Sequence, residues 1–422
     1  MKVVCAPKKI TNPKEGSFFT LYGRRKFLTD GHVGASITPI IKKLRLNPAK
    51  EAWDFLSIAL SVIAADESTP RTTQDGWTRE IDLNVAVSNI KLWDQHVPVL
   101  EEALRFLSTD RWKISLVDGG FQPKPPRFPA ILNEDCICLL SGGLDSLVGA
   151  IDLKSSGAHP AFVSQVAKGD KANQKLLGTS VSPSSLHLQL NHNAVPPSGQ
   201  SERSQRARSL VFLAYGVLAA TSLKAYGQGK TIDLYMPENG FISLNIPLTP
   251  LRLASHSTRT THPYFISAIQ QLLNDVGLRV RIVNPYKFLT KGEMLLQCKD
   301  QALLTKLAGG STSCGRFARH AFQHCGRCVP CQIRRAAFQK WGNDPTPRYR
   351  YSGTGRFSKG FKKFDDVRSV GIAVERVRLQ GLESWIGGGL TSVQMADRNN
   401  YRDVVQRGLL ELGDFLQAQG VL

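Results

Sequence analysis

The string Ser-Gly-Gly-Leu-Asp-Ser at residues 141–146 carries the clearest chemical signal in the sequence. An apolar run typical of a buried parallel strand, 136–140, precedes it, and apolar residues at helical spacing follow over 144–153. A strand, a glycine turn and a helix N-terminus direct several backbone N–H groups into one concavity, which suits a phosphate or pyrophosphate. An ordinary turn between strand and helix is the alternative, and two glycines alone would favour it. The full string instead predicts a nucleotide-phosphate site formed by Ser141, Gly142, Gly143, Leu144, Asp145 and Ser146.

The aspartate in this string needs an explanation, because a carboxylate repels a bare phosphate. Mg²⁺ bound between Asp145 and a nucleotide would remove the repulsion, so the sequence predicts a magnesium site at this turn. The hydroxyl groups of Ser141 and Ser146 would add hydrogen-bond donors to the phosphates. We therefore expect Asp145 and Ser146 to take part in catalysis as well as in binding.

Four cysteines crowd together near residue 320 with the spacing of a metal site. They are Cys314, Cys325, Cys328 and Cys331. Four thiolates directed at one centre favour a tetrahedral, structural Zn²⁺ with no open position for catalysis. Replacement of one cysteine by His320 or His324 is one alternative, and an iron–sulfur cluster is another. The remaining cysteines, Cys5, Cys136, Cys138 and Cys298, are typical of small apolar core residues.

Alternating strands and helices must position these residues. Predicted strands are 136–140, 161–166, 186–190, 232–236 and 280–283, and predicted helices are 144–153, 171–177, 204–226, 264–273 and 291–307. This alternation indicates an α/β fold with an open, doubly wound, mainly parallel sheet. Ligands of such sheets lie at the carboxyl ends of the strands, where five polar segments of this chain converge.

Those polar segments supply further candidate site residues. Cations that could face phosphates are Lys168, Lys171, Arg206, Arg208 and Lys291, of which all but Arg206 are predicted to be catalytic. Two segments in long loops, 237–240 and 258–263, are expected near a substrate. The predicted substrate-binding residues there are Glu238, Asn239, Gly240, Arg259 and His262. For any single cation a solvated surface position is the alternative, and for His262 it is a structural hydrogen bond.

The composition of the chain divides it into three regions. Residues 1–130 are predicted to form an α+β module with helices at 51–65 and 93–107 and strands at 81–87 and 112–117. Its charged pairs Asp66–Glu67 and Arg79–Glu80 are predicted to be surface charge. A proline-rich linker at 121–129 leads to the second region, 131–340, and residues 341–422 combine a basic linker with helices.

The overall charge of the chain indicates which classes of partner it could bind. The 422 residues include 54 Lys and Arg against 34 Asp and Glu, a net charge of +20. Such an excess attracts nucleotides, nucleic acid or an acidic protein, and a solvated basic surface without a dedicated partner is the alternative. The basic and aromatic segment 348–357 could contact nucleic acid or act as a linker. No apolar run is long enough to span a membrane, and the start of the chain does not match a signal peptide, so we expect a cytosolic protein.

Several motifs together resemble a known family. The 141–146 string resembles the PP-loop of ATP pyrophosphatases, and three further segments resemble the 7-cyano-7-deazaguanine synthases, a QueC-like family. These segments are Arg208–Leu213, then Leu289-Thr-Lys-Gly-Glu-Met294 with Ser313-Cys314, and Cys325-Gly-Arg-Cys-Val-Pro-Cys-Gln-Ile-Arg334. The resemblance covers about 131–340. Departures are the segment Gln165–Lys171, Ser209 where the family has Asn, and the longer interval between Cys314 and Cys325.

The resemblance implies an adenine-nucleotide fold and an ATP-dependent conversion of a 7-carboxy-7-deazaguanine to an amide and then a nitrile. ATP, Mg²⁺ and Zn²⁺ are the implied cofactors, and the cysteine site is implied to be structural. The flanking regions resemble those of QueC-like proteins in Qat-type bacterial anti-phage systems, which implies a protein partner in a defence complex. Activated acyl transfer to ammonia, to a protein amine or to nucleic acid all stay open. RNA modification and a non-catalytic nucleotide-binding scaffold or sensor are the alternative functions.

Overall fold

The computed structural model describes residues 1–8, 16–71, 78–167, 169–197, 202, 206–249, 259–345, 348–355, 365–390 and 394–422. The strands in this part of the chain are β1 (Lys2–Ala6), β2 (Ser17–Leu21), β3 (Gly31–Val33), β4 (Glu80–Val87), β5 (Arg111–Asp118), β6 (Cys136–Leu139), β7 (Pro160–Gln165), β8 (His187–Leu190), β9 (Ile232–Tyr235) and β10 (Val280–Val283).

The helices in the same ranges are α1 (Ile37–Lys43), α2 (Lys50–Ser68), α3 (Ile90–Trp93), α4 (Val97–Ser108), α5 (Leu144–Ser155), α6 (Lys171–Val181), α7 (Arg208–Ala220), α8 (Lys224–Gly227), α9 (Gly240–Ser243), α10 (Pro263–Asp275), α11 (Lys291–Gln297), α12 (Gln301–Ala308), α13 (Val329–Trp341), α14 (Asp365–Gln380), α15 (Glu383–Leu390) and α16 (Arg398–Ala418).

The first sheet, in the order β3-β2-β1-β4-β5, is parallel at every described strand pair. The expectation of an α+β module was therefore wrong: the region is α/β. The cause is that β1, β2 and β3 were not predicted: no helix is predicted between them, so no alternation of strands and helices marks them in the sequence. Without them the two longer strands, β4 and β5, gave no evidence of parallel crossovers.

The second sheet, in the order β10-β9-β6-β7-β8, confirms the predicted parallel architecture. Alternate residues of β6 enter different buried clusters. Ile137 and Leu139 pack in the cluster that contains α7, whereas Cys138 and Leu140 pack in the cluster that contains α5 and α11. Helices thus cover both faces of this sheet, as a doubly wound fold requires.

Helix α2 joins the two sheets. It contacts the strands of the first sheet on one side and α7 of the second on the other. Burial on all sides explains why apolar residues lie all around this helix instead of forming one apolar stripe. One continuous cluster of buried side chains therefore runs from β1 to β10. The predicted region boundaries near residues 130 and 340 stay predictions.

The C-terminal helix α16 packs against α13 and α9, with α14 and α15 beside it. Its Glu411 accepts a hydrogen bond from the hydroxyl of Thr290 and, at 2.8 Å, one from the Nζ of Lys340. Helix α16 thus holds the start of α11. Within the described residues, the helices lack the combination of length and apolar character that crossing a membrane requires.

Candidate functional site

A cleft of about 440 Å³ opens at the carboxyl ends of β6, β7 and β9. Strand order reverses between β6 and β9, since the chain first adds β7 and β8 on one side and later β9 and β10 on the other. Open α/β sheets bind ligands at this reversal, and the volume lies in the range of small-molecule sites. The lining residues are Leu139, Ser141, Ser146, Gln165, Asp170, Arg208, Ser209, Phe212, Leu213, Met236, Pro237, Glu238, Thr260 and Thr261.

The glycine turn forms one wall of this cleft. Gly142 has a φ of +89°, a left-handed conformation that glycine adopts without strain, and α5 begins two residues later. The Ser141 hydroxyl accepts a hydrogen bond from the Gly143 N–H at 3.2 Å and lies 3.1 Å from the Ser146 hydroxyl. Both hydroxyl groups reach the cleft beside the N-terminus of α5. The turn can therefore present hydroxyl and N–H donors to an anion, and the predicted phosphate site stays a prediction.

Asp145 is buried beneath the cleft and lies outside its lining. Its Oδ1 accepts a hydrogen bond from the Nζ of Lys291 at 2.5 Å, and its Oδ2 accepts one from the Nδ2 of Asn239 at 2.7 Å. Burial alone would raise the pKa of Asp145, but the Lys291 charge and the hydrogen bonds with Glu238, Lys291 and Asn239 hold it below its ordinary value. Two residues predicted to be catalytic thus form a buried ion pair.

Glu238 connects this ion pair to the cleft. Burial and the neighbouring Asp145 charge raise the pKa of Glu238 well above its ordinary value. The Glu238 side chain lines the cleft and lies beside the Asp145 carboxylate. The site thus combines two neighbouring carboxyl groups whose pKa values are shifted in opposite directions.

The predicted magnesium site does not fit these contacts as they stand. Both carboxylate oxygens of Asp145 already have partners, and the Lys291 ammonium stands beside Oδ1, where a bound cation would have to be. Magnesium usually requires free carboxylate oxygens in addition to phosphate and water ligands. Asp145 could anchor the ion only after Lys291 moved away.

The other predicted cations occupy different surroundings. Arg208 begins α7 and lines the cleft. Lys171 begins α6 with an exposed side chain and is not among the described residues that line the cleft. Lys168 lies outside the described residues. Arg206 points toward the first sheet, where its guanidinium donates to the carbonyl oxygen of Ser108 at 3.1 Å.

The predicted substrate-binding residues separate into two groups, of which only one reaches the cleft. Glu238 lines it, and Asn239 lies behind it as the N-cap of α9. Gly240 packs so tightly that a Cβ there would stand 2.1 Å from the carbonyl oxygen of Lys287.

Arg259 and His262 instead pack on α4 of the first module. The Arg259 guanidinium lies 4.7 Å from the ring centre of Phe106 and donates to its carbonyl oxygen at 3.1 Å. His262 lies edge-on to the same ring, and its Nδ1 accepts a hydrogen bond from the Tyr264 N–H as the N-cap of α10. His262 thus makes the structural hydrogen bond that was the alternative to a substrate contact. Its neighbours Thr260 and Thr261 line the cleft instead.

Sequence reasoning missed several lining residues on β7, α7 and β9. Gln165 and Met236 stand at strand ends, and Ser209, Phe212 and Leu213 form one face of α7. The i, i+3 and i+4 spacing from Ser209 was the available signal, because it places the three side chains on one side of a helix.

Residues predicted to be surface charge instead form a buried ionic network between the two sheets. Arg79 is 1% exposed and binds Asp66 at 2.5 Å and Asp110 at 2.6 Å. The other oxygen of Asp66 accepts hydrogen bonds from the N–H groups of Arg206 and Ala207, at 3.0 and 3.2 Å. The prediction was wrong for Asp66, Glu67 and Arg79, because the opposing module that buries them cannot be seen in local composition. Asp66 thereby holds the start of the helix that carries Arg208.

The four predicted metal-binding cysteines converge. Their sulfur atoms all lie within 4.8 Å of one another, with Cys314 and Cys328 3.8 Å apart and Cys325 and Cys331 3.9 Å apart. Four Zn–S bonds of about 2.3 Å set neighbouring sulfurs about 3.8 Å apart, so the donor set fits one zinc ion better than a larger iron–sulfur cluster. When bound, zinc would supply a structural cross-link. His324 is not a ligand, since its Nε2 accepts the Ser313 N–H at 3.2 Å.

This cysteine cluster is connected to the glycine turn. The Thr312 N–H, two residues before Cys314, donates to the carbonyl oxygen of Gly142 at 2.8 Å. Arg334, three residues after Cys331, binds the hydroxyls of Ser311 and Ser313 at 2.8 and 3.1 Å. The segment 311–313 therefore connects the cysteine cluster to the glycine turn by hydrogen bonds.

The described part of the basic and aromatic segment packs on the same cluster. The Arg350 and Tyr351 N–H groups donate to the carbonyl oxygens of His324 and Cys325. Tyr351 stacks under the guanidinium of Arg327 at 4.4 Å. The Tyr351 ring thus has an intramolecular partner, and residues 356 and 357 lie outside the described residues.

The Thr-Lys-Gly-Glu segment and the four cysteines fall within one stretch that resembles known proteins. Residues 260–342 match the family model described as Queuosine biosynthesis protein QueC. No curated protein matches the chain. The match supports the QueC-like resemblance for α10 to α13 and the cysteine cluster, and it does not include the glycine turn at 141–146.

Proposed function

We propose that the cleft of the second sheet binds ATP and transfers its adenylyl group to the carboxylate of a 7-deazapurine, such as 7-carboxy-7-deazaguanine, with release of pyrophosphate. One observation carries the proposal. The stretch that matches QueC contributes Lys291 and Thr312, and both contact the glycine turn that lies outside the match. A nucleotide-type turn and a QueC-like segment thus meet at one cleft.

The chemistry requires activation of the acid, because a carboxylate is a poor electrophile. Its oxygen attacks the α-phosphorus of ATP, the bond to the β-phosphate breaks, and pyrophosphate leaves with the electron pair. The donors of the glycine turn and the Arg208 guanidinium would hold the phosphates and stabilise their developing charge. Magnesium would accompany ATP on its phosphates, and no step assigned to these side chains depends on it.

The acyl adenylate then needs an acceptor. Ammonia would give the amide and, after a second activation, the nitrile, whereas a protein amine would give a conjugate of the base with a partner protein. The flanking modules and the net charge of +20 favour a macromolecular acceptor or partner. A Qat-type defence complex is the proposed setting, and nucleic acid is the other acceptor within the proposal.

Pyrophosphate release measured with ATP over a panel of 7-deazapurine carboxylates tests this function. Release that depends on one acid and leaves AMP supports it, and intact-mass analysis with candidate partners then identifies the acceptor. A mass increase on a partner supports the protein acceptor, and formation of free nitrile alone removes it. A folded, zinc-loaded protein that binds ATP and releases no pyrophosphate with any acid would instead favour a nucleotide-binding scaffold.

A further inference from the structure

Two hydrogen-bonding groups in the cleft have no partner among the described residues. They are the Nε2 of Gln165 and the Oγ of Ser209. Gln165 is only 6% exposed, and its carbonyl oxygen accepts a hydrogen bond from the Nε2 of Gln174, which fixes its backbone while its own amide stays free. A buried donor without an acceptor destabilises the free protein, and a ligand that supplies the acceptor would remove that penalty.

The walls around these two groups are largely apolar. Phe212 and Leu213 follow Ser209 by one turn of α7, and Met236 and Leu139 come from the ends of neighbouring strands. Apolar walls with a few fixed polar groups are typical of sites for flat heteroaromatic rings. Arg208, next to Ser209, places a positive charge at the same wall of the cleft.

We propose that Gln165 and Ser209 determine specificity by binding the hydrogen-bonding edge of a purine-like ring that rests on the wall of Phe212, Leu213 and Met236. The inference rests on the proposed function, because ATP and a 7-deazapurine acid both carry such a ring. Both residues lie where this chain departs from the QueC-like motifs, at Gln165–Lys171 and Ser209.

Calorimetric binding to the full-length, zinc-loaded protein tests the proposal with two ligands measured separately: a non-hydrolysable α,β-methylene ATP and 7-carboxy-7-deazaguanine. The variants are Gln165→Leu, which removes the amide, and Ser209→Ala, which removes the hydroxyl. We expect each variant to weaken one of the two ligands about tenfold or more, as the loss of a buried hydrogen bond does. The ligand that is weakened identifies the ring in this part of the cleft.

Ser222→Ala is the matched control, because its hydroxyl lies near the opposite end of α7 and bonds the carbonyl oxygen of Leu218. It should leave both affinities within twofold of wild type. Gln165→Leu should also leave the unfolding temperature equal or higher, since it removes an unsatisfied donor. A lower unfolding temperature with both affinities unchanged would assign Gln165 a structural role and overturn the proposal.

Failure of the ring-edge contacts and failure of the proposed function give different results. Wild-type protein that binds neither ligand contradicts the proposed function. If wild-type protein binds a ligand and both variants bind it with the same affinity, the result contradicts the ring-edge contacts but not the proposed function.

Discussion

The two sheets of this protein share one strand order. In each, the first strand is central, the next two lie on one side and the last two on the other: β3-β2-β1-β4-β5 and β8-β7-β6-β9-β10. Each therefore has a reversal point beside its first strand, which is where open α/β sheets form a crevice. Among the described residues, only the second sheet carries a glycine turn followed by a helix N-terminus at that point.

The difference lies in the connection after the central strand. Strand β6 leads into the glycine turn and the twelve-residue helix α5, whose N-terminus faces the cleft. Between β1 and β2 the described residues contain no such turn and helix. At the end of β4 in the same sheet, the Ser88 N–H and hydroxyl both bind Asp54, at 2.9 and 2.7 Å. Strand order creates the crevice, and local residues decide whether it can bind a phosphate.

The first sheet instead supports the second. Its Asp66 holds the start of α7, and α2 packs along that helix. We infer a division between a catalytic sheet and a supporting sheet, and four predictions test it.

The largest effect is expected at Asp145. Asp145→Asn should lower pyrophosphate release by about 10²–10³-fold, because the neutral amide cannot hold the Lys291 ammonium beside the phosphate site. The variant also leaves Lys291 buried without a counter-charge, which should cost about 3–5 kcal/mol of unfolding free energy. Adding Lys291→Met removes both charges and should recover most of the stability but none of the activity.

Asp54→Asn is the matched control in the first sheet. Asp54 is also a buried carboxyl group beside a strand end, so the substitution should cost at most about 2 kcal/mol and leave pyrophosphate release within twofold of wild type. Wild-type activity in the folded Asp145 double variant, or loss of activity in a folded Asp54→Asn protein, would break the division between the sheets.

Removal of the metal should act on the second sheet alone. Cys331→Ser should abolish zinc binding, measured by metal analysis, and weaken nucleotide binding through the Thr312 contact to Gly142. Cys298→Ser, a buried thiol outside the cluster, should keep one zinc ion per chain. Unchanged zinc content in Cys331→Ser would contradict the four-cysteine site.

The interface between the sheets gives the third prediction. Asp66→Asn leaves Arg79 with a weaker partner in a buried network and should lower the unfolding free energy by about 3–5 kcal/mol. Glu80→Gln removes the exposed pair with Arg111, whose side chains are 76% and 74% exposed, and should change it by at most about 1 kcal/mol. Denaturant unfolding compares the two, and equal effects would show that the buried network does not link the sheets.

The smallest effect concerns pH. Burial, with the Asp66 charge adding to it and the Arg208 charge opposing it, raises the pKa of Glu67 to about 7. Because the unfolded carboxyl group loses its proton at a lower pH, this group stabilises the fold at low pH and loses that contribution as pH rises through about 7. Glu67→Gln cannot titrate, so its unfolding free energy relative to wild type should increase by about 1–3 kcal/mol from pH 4.5 to pH 8. A difference that stays constant over this range would contradict the raised pKa.

The second sheet could be predicted from the sequence because its strands alternate with predicted helices along the chain. The predicted strand 280–283 agrees with β10, and that at 232–236 differs from β9 by one residue. The predicted helix 291–307 divides into α11 and α12, since Asp300 caps a new helix through the N–H of Leu303 at 2.9 Å. Strands β1, β2 and β3 lie in a stretch without predicted helices and show no such alternation, so only β4 and β5 of the first sheet were predicted.

Only those parts of the site that consist of residues close together in the sequence could be predicted. The glycine turn and the cysteine spacing are visible in a few consecutive residues, whereas Asp145 and Lys291 lie far apart in sequence and meet only through the fold. Gln165 and Ser209 were noted in the sequence, but their shared place in the cleft could not be predicted for the same reason. Arg259 and His262 were expected near a substrate, but local sequence cannot reveal Phe106 as their partner.

Photolabelling most directly tests the claim that the nucleotide binds to the second sheet. The intact protein would be irradiated with 8-azido-ATP, with and without excess ATP, and the labelled peptides identified by mass spectrometry. We expect ATP-protected label on peptides that contain Gln165, Phe212 or Met236, which line the cleft. Protected label confined to residues 1–130 would contradict a nucleotide site in the second sheet.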